Sequence, residues 1–284
     1  MAQPALSQQI GELEEELGVR LLQRSARGVR PTVAGETLYR EASSILRLME
    51  QLPGKVRSAG GEAAGAVNLG MSSTLAAFLA GPFMETCKAA LPKVALRFIT
   101  GHSALVAERI EARTLDLGIV FEDGALPGMA RRVLFRQRLF LVRRTPAAAG
   151  VESVSLAELA AQPLVLPAHP NVTRSLFDRV FAEAGLVANM AAEADTLFSV
   201  LSAVQSGIGE TILPKGDLSD VPGHGALQCV PILPPIHLTA SIIAAGETPL
   251  TGAGEAVREL LAEFVGRRFA ESAPPGAEWI GGVP

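Results

Sequence analysis

Cysteine and histidine are scarce in this 284-residue chain, which has two cysteines and four histidines. The cysteines, Cys87 and Cys229, lie far apart, and neither they nor the histidines show the spacing of metal ligands. Two such cysteines are typical of buried thiols in a reducing compartment, with a redox pair as the alternative. We therefore expect neither a metal ion nor a cofactor.

Long apolar runs are absent as well. No stretch of about 18 uninterrupted apolar residues occurs, as a transmembrane helix would require. The first 18 residues lack the positive and apolar regions of a secretory signal peptide. We expect a cytoplasmic protein that does not contact a membrane.

Common catalytic motifs are also missing. The chain has no G-x-S-x-G nucleophile elbow, no phosphate-binding loop and no dinucleotide fingerprint after a predicted strand. The sequence therefore predicts that the protein is not an enzyme.

Charge is distributed unevenly along the chain, whose net charge is −4. Residues 1–57 carry eight Lys or Arg and seven Asp or Glu, whereas the other 227 carry seventeen and twenty-two. Residues 17–40 contain five arginines but only one acidic residue, Glu36. A basic stretch ahead of an acidic body favours a small module that contacts nucleic-acid phosphates, although a solvated surface loop would look similar.

The amino-terminal segment predicts a helix, because Leu6, Ile10, Leu13 and Leu17 recur at spacings of four, three and four. Gly18 suits the end of that helix. No upstream segment is present in the sequence to cover this apolar stripe, so we expect its packing partner to be missing.

A second helix follows a turn at residues 24–31, with Thr32 as its expected N-cap. Its apolar residues recur at heptad spacing, which favours contact with a second helix, here a dimer. The residues of this seam are Leu38, Ala42, Ile45, Met49 and Leu52. We assign residues 32–57 to a linker and dimerisation helix and residues 58–65 to a flexible hinge.

From residue 66 onward, predicted strands and helices alternate, which is typical of a parallel sheet with helices on both faces. Two such sets predict two Rossmann-like lobes, similar in architecture to periplasmic binding proteins. Residues 133–144 are expected to leave the first lobe as one strand. The lobes are expected to divide residues 66–270 into lobe one, 66–143 and 246–270, and lobe two, 144–245. Residues 271–284 are expected to form a flexible tail.

Several amino-terminal motifs resemble the second half of the winged helix-turn-helix of LysR-type transcription regulators. They are Gln3-Pro4-Ala5-Leu6-Ser7, Leu13-Glu14-x-Glu16-Leu17-Gly18, Leu21-Leu22-x-Arg24 and Pro31-Thr32-x-Ala34-Gly35. Residues 91–121 resemble the first lobe of the family's effector domain. Within them, Gly101-x-Ser103 followed by Leu105 is similar to the nitrogen assimilation control branch.

The resemblance implies that residues 1–31 form part of a winged helix-turn-helix and residues 66–270 an α/β effector-binding domain. Family members carry roughly thirty residues ahead of this point, so either the start was assigned late or the chain is truncated. In a truncated chain, Leu6, Ile10 and Leu13 would each lose about 1.5–3 kcal/mol of burial. We would then expect weak, salt-sensitive DNA binding.

By the same resemblance, the amino-terminal end of the first helix enters the major groove, where glutamine and serine side chains can read bases. Arginines around Gly28 would contact phosphate or the minor groove. The predicted DNA-binding residues are Gln3, Pro4, Ser7, Gln8, Arg27 and Arg30. Without the resemblance, the helix residues would be interpreted as a polar face with an N-cap.

Polar residues at the ends of predicted strands are candidates for an effector site between the lobes. Ser72, Ser73 and Thr74 come where a strand meets a helix N-terminus, which suits an anion such as a carboxylate. The complete predicted set is Ser72, Ser73, Thr74, His102, Ser103, Phe121, His169, Asn171 and Thr196. Each residue alone is also explained as a cap or loop residue.

The resemblance implies a dimer, with further assembly to a tetramer, that binds double-stranded DNA and a small anionic effector, with RNA polymerase as a further partner. One alternative is an effector-sensing protein that does not bind DNA. Another is a solute-binding protein, which would need an export signal and would not need residues 3–52.

Overall fold

The computed structural model describes residues 3–25, 28–58, 63–124, 126–144, 153–214, 227–246 and 249–282. Four elements form its amino-terminal part: α1 (Gln3–Leu17), β1 (Leu22–Ser25), β2 (Gly28–Pro31) and α2 (Val33–Ser58). Gly18 ends α1 with a positive φ of 67°, which glycine adopts without strain. Strands β1 and β2 pair antiparallel, from Leu22 opposite Pro31 to Ser25 opposite Gly28. Residues 26 and 27, inside the turn predicted at 24–31, lie outside the described residues.

A carboxylate of α1 fixes the hairpin to this helix. Glu14 Oε1 accepts the backbone N–H groups of Leu21 (2.7 Å) and Leu22 (3.0 Å). These bonds from Leu22 and Leu21 hold the pKa of Glu14 below its ordinary value. The hairpin is thereby held against α1 by the side chain of one acid.

The seam residues of α2 differ in exposure. Leu38 and Ala42 are half-buried, whereas Ile45, Met49 and Leu52 are 59%, 65% and 58% exposed. The carboxyl-terminal half of the seam is therefore uncovered in a single chain. None of the described helices is long and apolar enough to cross a lipid bilayer.

The first lobe is built on a six-stranded sheet of order β14-β6-β13-β5-β3-β4. Its elements are β3 (Gly65–Ser72), α3 (Ser73–Ala90), β4 (Val94–Gly101), α4 (Ser103–Glu111), β5 (Leu117–Glu122), β6 (Met129–Arg138), β13 (His237–Ala245), α8 (Gly252–Glu271) and β14 (Ala277–Trp279). Strands β4, β3 and β5 are parallel, as predicted. Strand β13 pairs antiparallel with both β5 and β6, and β14 pairs antiparallel with β6.

The second lobe contains a four-stranded sheet of order β11-β7-β12-β8 and a parallel pair, β9 and β10. Its elements are β7 (Phe140–Arg144), β8 (Val154–Ser155), α5 (Leu156–Ala161), β9 (Leu164–Pro167), α6 (Val172–Glu183), β10 (Met190–Ala194), α7 (Leu197–Gln205), β11 (Thr211–Leu213) and β12 (Leu227–Leu233). A bridge between Leu164 and Glu210 connects the pair to the larger sheet.

The predicted lobe boundaries need correction. Residues 133–144 are two strands in different sheets, because the chain changes lobe at Leu139, whose N–H donates to the carbonyl of Ile236 at 2.8 Å. Residues 237–245, assigned to lobe two, form β13 in the middle of the lobe-one sheet. The two connections between lobes therefore cross side by side at Leu139 and Ile236.

The prediction of a flexible tail at residues 271–284 is also wrong for the described part. Strand β14 pairs with β6, and the Trp279 ring lies 5.4 Å from the ring of Phe269. Of the two cysteines, Cys87 is buried, as expected, and burial raises the pKa of its thiol. Cys229 is only half-buried.

Candidate functional site

The two lobes face each other across a cleft at the carboxyl ends of β3, β4 and β5 on one side and of β9 and β10 on the other. We call this space the interlobe cleft. We call the part of the cleft lined by Ser72, Phe121 and Val200 its inner part, and the part lined by His169, Pro170 and Phe198 its outer part. The inner part encloses about 550 Å³, counting space open to solvent. All nine predicted effector-site residues line the cleft. Eight of them line the inner part, and His169 lines the outer part.

Four helices begin at the interlobe cleft, and three of them are capped by their own N-cap side chain. In α4, His102 Nδ1 accepts the N–H of Leu105 at 3.0 Å. In α6, Asn171 Oδ1 accepts the N–H of Thr173 at 3.0 Å. In α7, Thr196 caps the N–H of Ser199 at 3.1 Å.

The fourth helix, α3, is different. Its N-cap residue, Ser72, makes no side-chain capping bond. Its Oγ atom is buried and has no hydrogen-bond partner among the described residues, and the residue is 5% exposed. An orphaned buried hydroxyl costs free energy unless a ligand or water completes it. The amino terminus of α3 therefore lines the interlobe cleft with a first turn that lacks a side-chain cap and with a buried hydroxyl that lacks a partner.

Neighbouring residues differ in which atoms they leave for a ligand. Ser73 Oγ donates its one proton to the carbonyl of Gly101 at 3.2 Å, so it cannot also donate to an anion. Because His102 Nδ1 accepts the hydrogen bond from the Leu105 N–H, Nε2 is the ring atom left to donate to a ligand. Asn171 Oδ1 accepts the capping hydrogen bonds, so the NH₂ group of the same side chain can donate to a ligand.

Most charged side chains of lobe two near the cleft form ion pairs with one another. His169 Nε2 lies 3.0 Å from Asp178 Oδ2, and Arg174 contacts both Asp178, at 2.9 Å, and Glu193. Burial alone would lower the pKa of Arg174, but its hydrogen bonds to Glu193 and Asp178 raise it. His169, which lines the outer part of the cleft, is therefore held toward α6 by the Asp178 carboxylate.

Sequence reasoning missed several residues of the cleft. Thr173 is 7% exposed and lines its inner part, and Asp195 lines both parts. The other missed residues of the inner part are Gly101, Pro167, Val172, Ala194, Leu197, Val200 and Leu213. Asp195 could have been found, because it follows β10 and directly precedes the predicted Thr196.

One ion pair connects the lobes beside the cleft. Arg179 of α6 lies 2.6 Å from Asp123, which follows β5 in lobe one. The hydrogen bond to Asp123 raises the pKa of Arg179. The described residues contain no group of His, Cys, Asp and Glu that could hold a metal ion.

The predicted DNA-contact residues lie at the amino-terminal end of α1 and on the hairpin. Gln3 and Pro4 open α1, Ser7 is half-buried and Gln8 is exposed, with a 2.9 Å bond to Glu12. Arg30 is exposed on β2, and Arg27 lies outside the described residues. The structure leaves these residues at the surface where it describes their side chains, and their contact with DNA stays a prediction.

Together, the fold and the interlobe cleft define a two-lobed ligand-binding domain preceded by a helix, a β-hairpin and a long connecting helix. Residues 60–266 match the LysR substrate binding domain family. Residues 1–36 match the bacterial regulatory helix-turn-helix proteins of the lysR family. The chain therefore belongs to the LysR family of DNA-binding transcription regulators, as its motifs predicted.

Among relatives, the nitrogen assimilation regulatory protein nac of Escherichia coli K12 is 31% identical over 268 residues, covering 93% of this chain and 87% of its own. Nac of Klebsiella aerogenes is 30% identical over 277 residues, covering 96% and 89%. Both agree with the predicted resemblance to that branch.

Solved structures share the fold. HinK, a LysR family regulator from Pseudomonas aeruginosa, matches with a TM-score of 0.64 at 24% identity, covering 94% of this chain and 90% of that chain. Full-length CbnR complexed with its target DNA gives 0.67 at 20%, covering 94% and 90%. The effector binding domain of QuiR in complex with shikimate gives 0.63 at 18%, covering 71% and 97%. The predicted fold class is confirmed.

Proposed function

We propose that this regulator binds a small effector through a carboxylate held at the amino terminus of α3, inside the interlobe cleft. The single observation that carries the proposal is the buried, unpartnered Ser72 hydroxyl. It lies at the only one of the four N-termini meeting the cleft, within the described chain, that lacks a side-chain cap.

A carboxylate suits this position for two reasons. The first N–H groups of a helix have no intrahelical acceptor, and the helix dipole places partial positive charge there. Ser72 Oγ–H adds a donor at the same point. QuiR, which shares the fold, is described in complex with shikimate, a carboxylate, and this supports the chemistry proposed for the present cleft.

The DNA-binding role places the amino-terminal end of α1 in the major groove of double-stranded DNA. CbnR, which shares the fold, is described with its target DNA. In the present chain we assign the major-groove contacts to Gln3, Pro4, Ser7 and Gln8. Phosphate or minor-groove contact is assigned to Arg27 and Arg30. The match of residues 1–36 to a helix-turn-helix family favours a regulator over a solute-binding protein.

Dimerisation is assigned to α2. Its apolar residues Ile45, Met49 and Leu52 are exposed in the single chain, and pairing two copies would remove them from water. Two paired chains present two α1 helices to two half-sites of an operator. Further assembly to a tetramer and contact with RNA polymerase belong to the same proposal.

Effector binding is coupled to DNA binding through the lobe arrangement. A ligand shifts the balance between two arrangements only by its difference in affinity for them. A ligand held by α3 of lobe one and by α6 and α7 of lobe two contacts both sides only when the lobes are close. The Asp123–Arg179 pair stabilises that same arrangement.

Thermal-shift and calorimetric titrations with a panel of small carboxylates test the proposal. We expect at least one carboxylate to bind, and we expect Ser72→Ala to weaken its affinity about tenfold. Ser73→Ala should weaken the affinity less, because the Ser73 hydroxyl already donates its hydrogen bond to the Gly101 carbonyl. Ser202→Ala, at an exposed position on α7, is the matched control. Equal binding by wild type and Ser72→Ala would refute the proposed carboxylate site.

A further inference from the structure

The inner part of the interlobe cleft contains one formal charge at neutral pH among its described lining residues, the carboxylate of Asp195. No lysine or arginine of the described chain lines either part of the cleft. An anionic ligand therefore meets neutral N–H and O–H donors on lobe one and a negative charge on lobe two.

Asp195 is distinguished from the other acids near the cleft by its lack of a partner. Asp178 and Glu193 are both paired with Arg174, and Asp123 is paired with Arg179. No hydrogen bond or ion pair joins the Asp195 side chain to any residue that the structure describes. Its carboxylate is exposed at the wall of the cleft.

We propose that the effector is a zwitterion, with a carboxylate at the α3 amino terminus and a positively charged amino group facing Asp195. This inference rests on the proposed function and specifies the class of its ligand. It follows from two polar groups that line the cleft from different lobes, namely the unpartnered Ser72 hydroxyl on lobe one and the unpartnered Asp195 carboxylate on lobe two.

Charge balance favours this class over simple anions. A monocarboxylate without a cation would place two like charges in one cleft, and a dicarboxylate would place three. An amino group beside Asp195 replaces that repulsion with attraction. The inner part is also lined by four apolar residues, Phe121, Val172, Val200 and Leu213. The ligand can therefore carry apolar carbon between its two charged groups.

Asp195 also lies immediately before the N-cap of α7, where a negative charge stabilises the helix dipole. That purely structural role makes a different prediction. It requires Asp195→Asn to lower the melting temperature without changing which ligands bind. The zwitterion proposal requires a change in ligand preference, whatever happens to stability.

Calorimetric titration of the full chain with matched compounds tests the proposal. The probes are the proteinogenic amino acids, their 2-oxo acids, which lack the amino group, and their decarboxylated amines. We expect at least one amino acid to bind about tenfold or more tightly than both of its analogues. Asp195→Asn should bring the affinities for that amino acid and its oxo acid to within about threefold of each other. Ser72→Ala should instead lower the affinities for the amino acid and the oxo acid together.

Glu263→Gln removes one exposed negative charge on α8, remote from the cleft, and should leave the preference unchanged. Oxo acids that bind as tightly as amino acids, or a preference that survives Asp195→Asn, would overturn the zwitterion proposal and leave the carboxylate site standing. A wild-type chain that binds amines but no carboxylate would overturn both.

Discussion

The ion pair between Asp123 and Arg179 connects the two lobes beside the interlobe cleft, at 2.6 Å. Its side chains are 21% and 51% exposed, so solvent screens it and its contribution resembles that of a surface pair, about 0.2–1 kcal/mol. Because the pair forms only when the lobes are close, this energy belongs to that arrangement. Effector affinity should then fall by about 1.4- to 5-fold when either partner is neutralised.

The assay is a double-mutant cycle on effector affinity, measured calorimetrically with the carboxylate that binds best. Asp123→Asn and Arg179→Gln should each lower the effector affinity. The affinity of the double variant should be no lower than that of the single variant with the lower affinity. The effect should shrink at high salt. Arg132 and Glu259, at 2.7 Å and about half exposed, form a matched pair within lobe one. Neutralising Glu259 should leave effector affinity unchanged.

The reasoning would be refuted if the effects of the Asp123 and Arg179 variants on affinity simply added. It would also be refuted if Glu259→Gln changed effector affinity as much as Asp123→Asn does. Either result would mean that the contact does not report on closure of the lobes.

Three further predictions concern the wing, the carboxyl-terminal strand and the dimer. The lowered pKa of Glu14 means that its stabilisation of the hairpin is present above its ordinary pKa of 4.5 and is lost as pH falls through the folded value. Amide NMR shifts of the hairpin should titrate with a midpoint below 4.5, and a higher midpoint would contradict this. Because the Trp279 side chain is only half-buried, Trp279→Ala should lower the free energy of unfolding, measured in urea, by about 1–3 kcal/mol, less than the about 3–5 kcal/mol of a buried tryptophan, whereas a disordered tail would give no change. Ile45→Glu with Met49→Glu should convert dimers to monomers by light scattering, and an unchanged mass would exclude α2 as the interface.

The position of the candidate site could be predicted from the sequence because it depends on topology. The carboxyl ends of parallel strands meet at one edge of a sheet, so Ser72, His102 and Phe121 were expected together before any contact was known. The repeated lobe architecture likewise placed His169 and Thr196 opposite them. Their roles in binding stay predictions.

Features that depend on distant pairing were not predictable in this way. Asp195 differs from Asp178 only because Arg174 reaches one carboxylate and leaves the other unpaired. The strand at Trp279 was hidden by neighbouring proline and glycine, which suggest disorder locally. That segment pairs with β6, and the Trp279 ring contacts the ring of Phe269, ten positions earlier.

The most direct test of the account is a crystal structure of the chain with its best-binding carboxylate. We predict a carboxylate oxygen within hydrogen-bonding distance of Ser72 Oγ, with both lobes in contact with the ligand. Density for the ligand outside the interlobe cleft, or a carboxylate pointing away from the α3 amino terminus, would contradict the account.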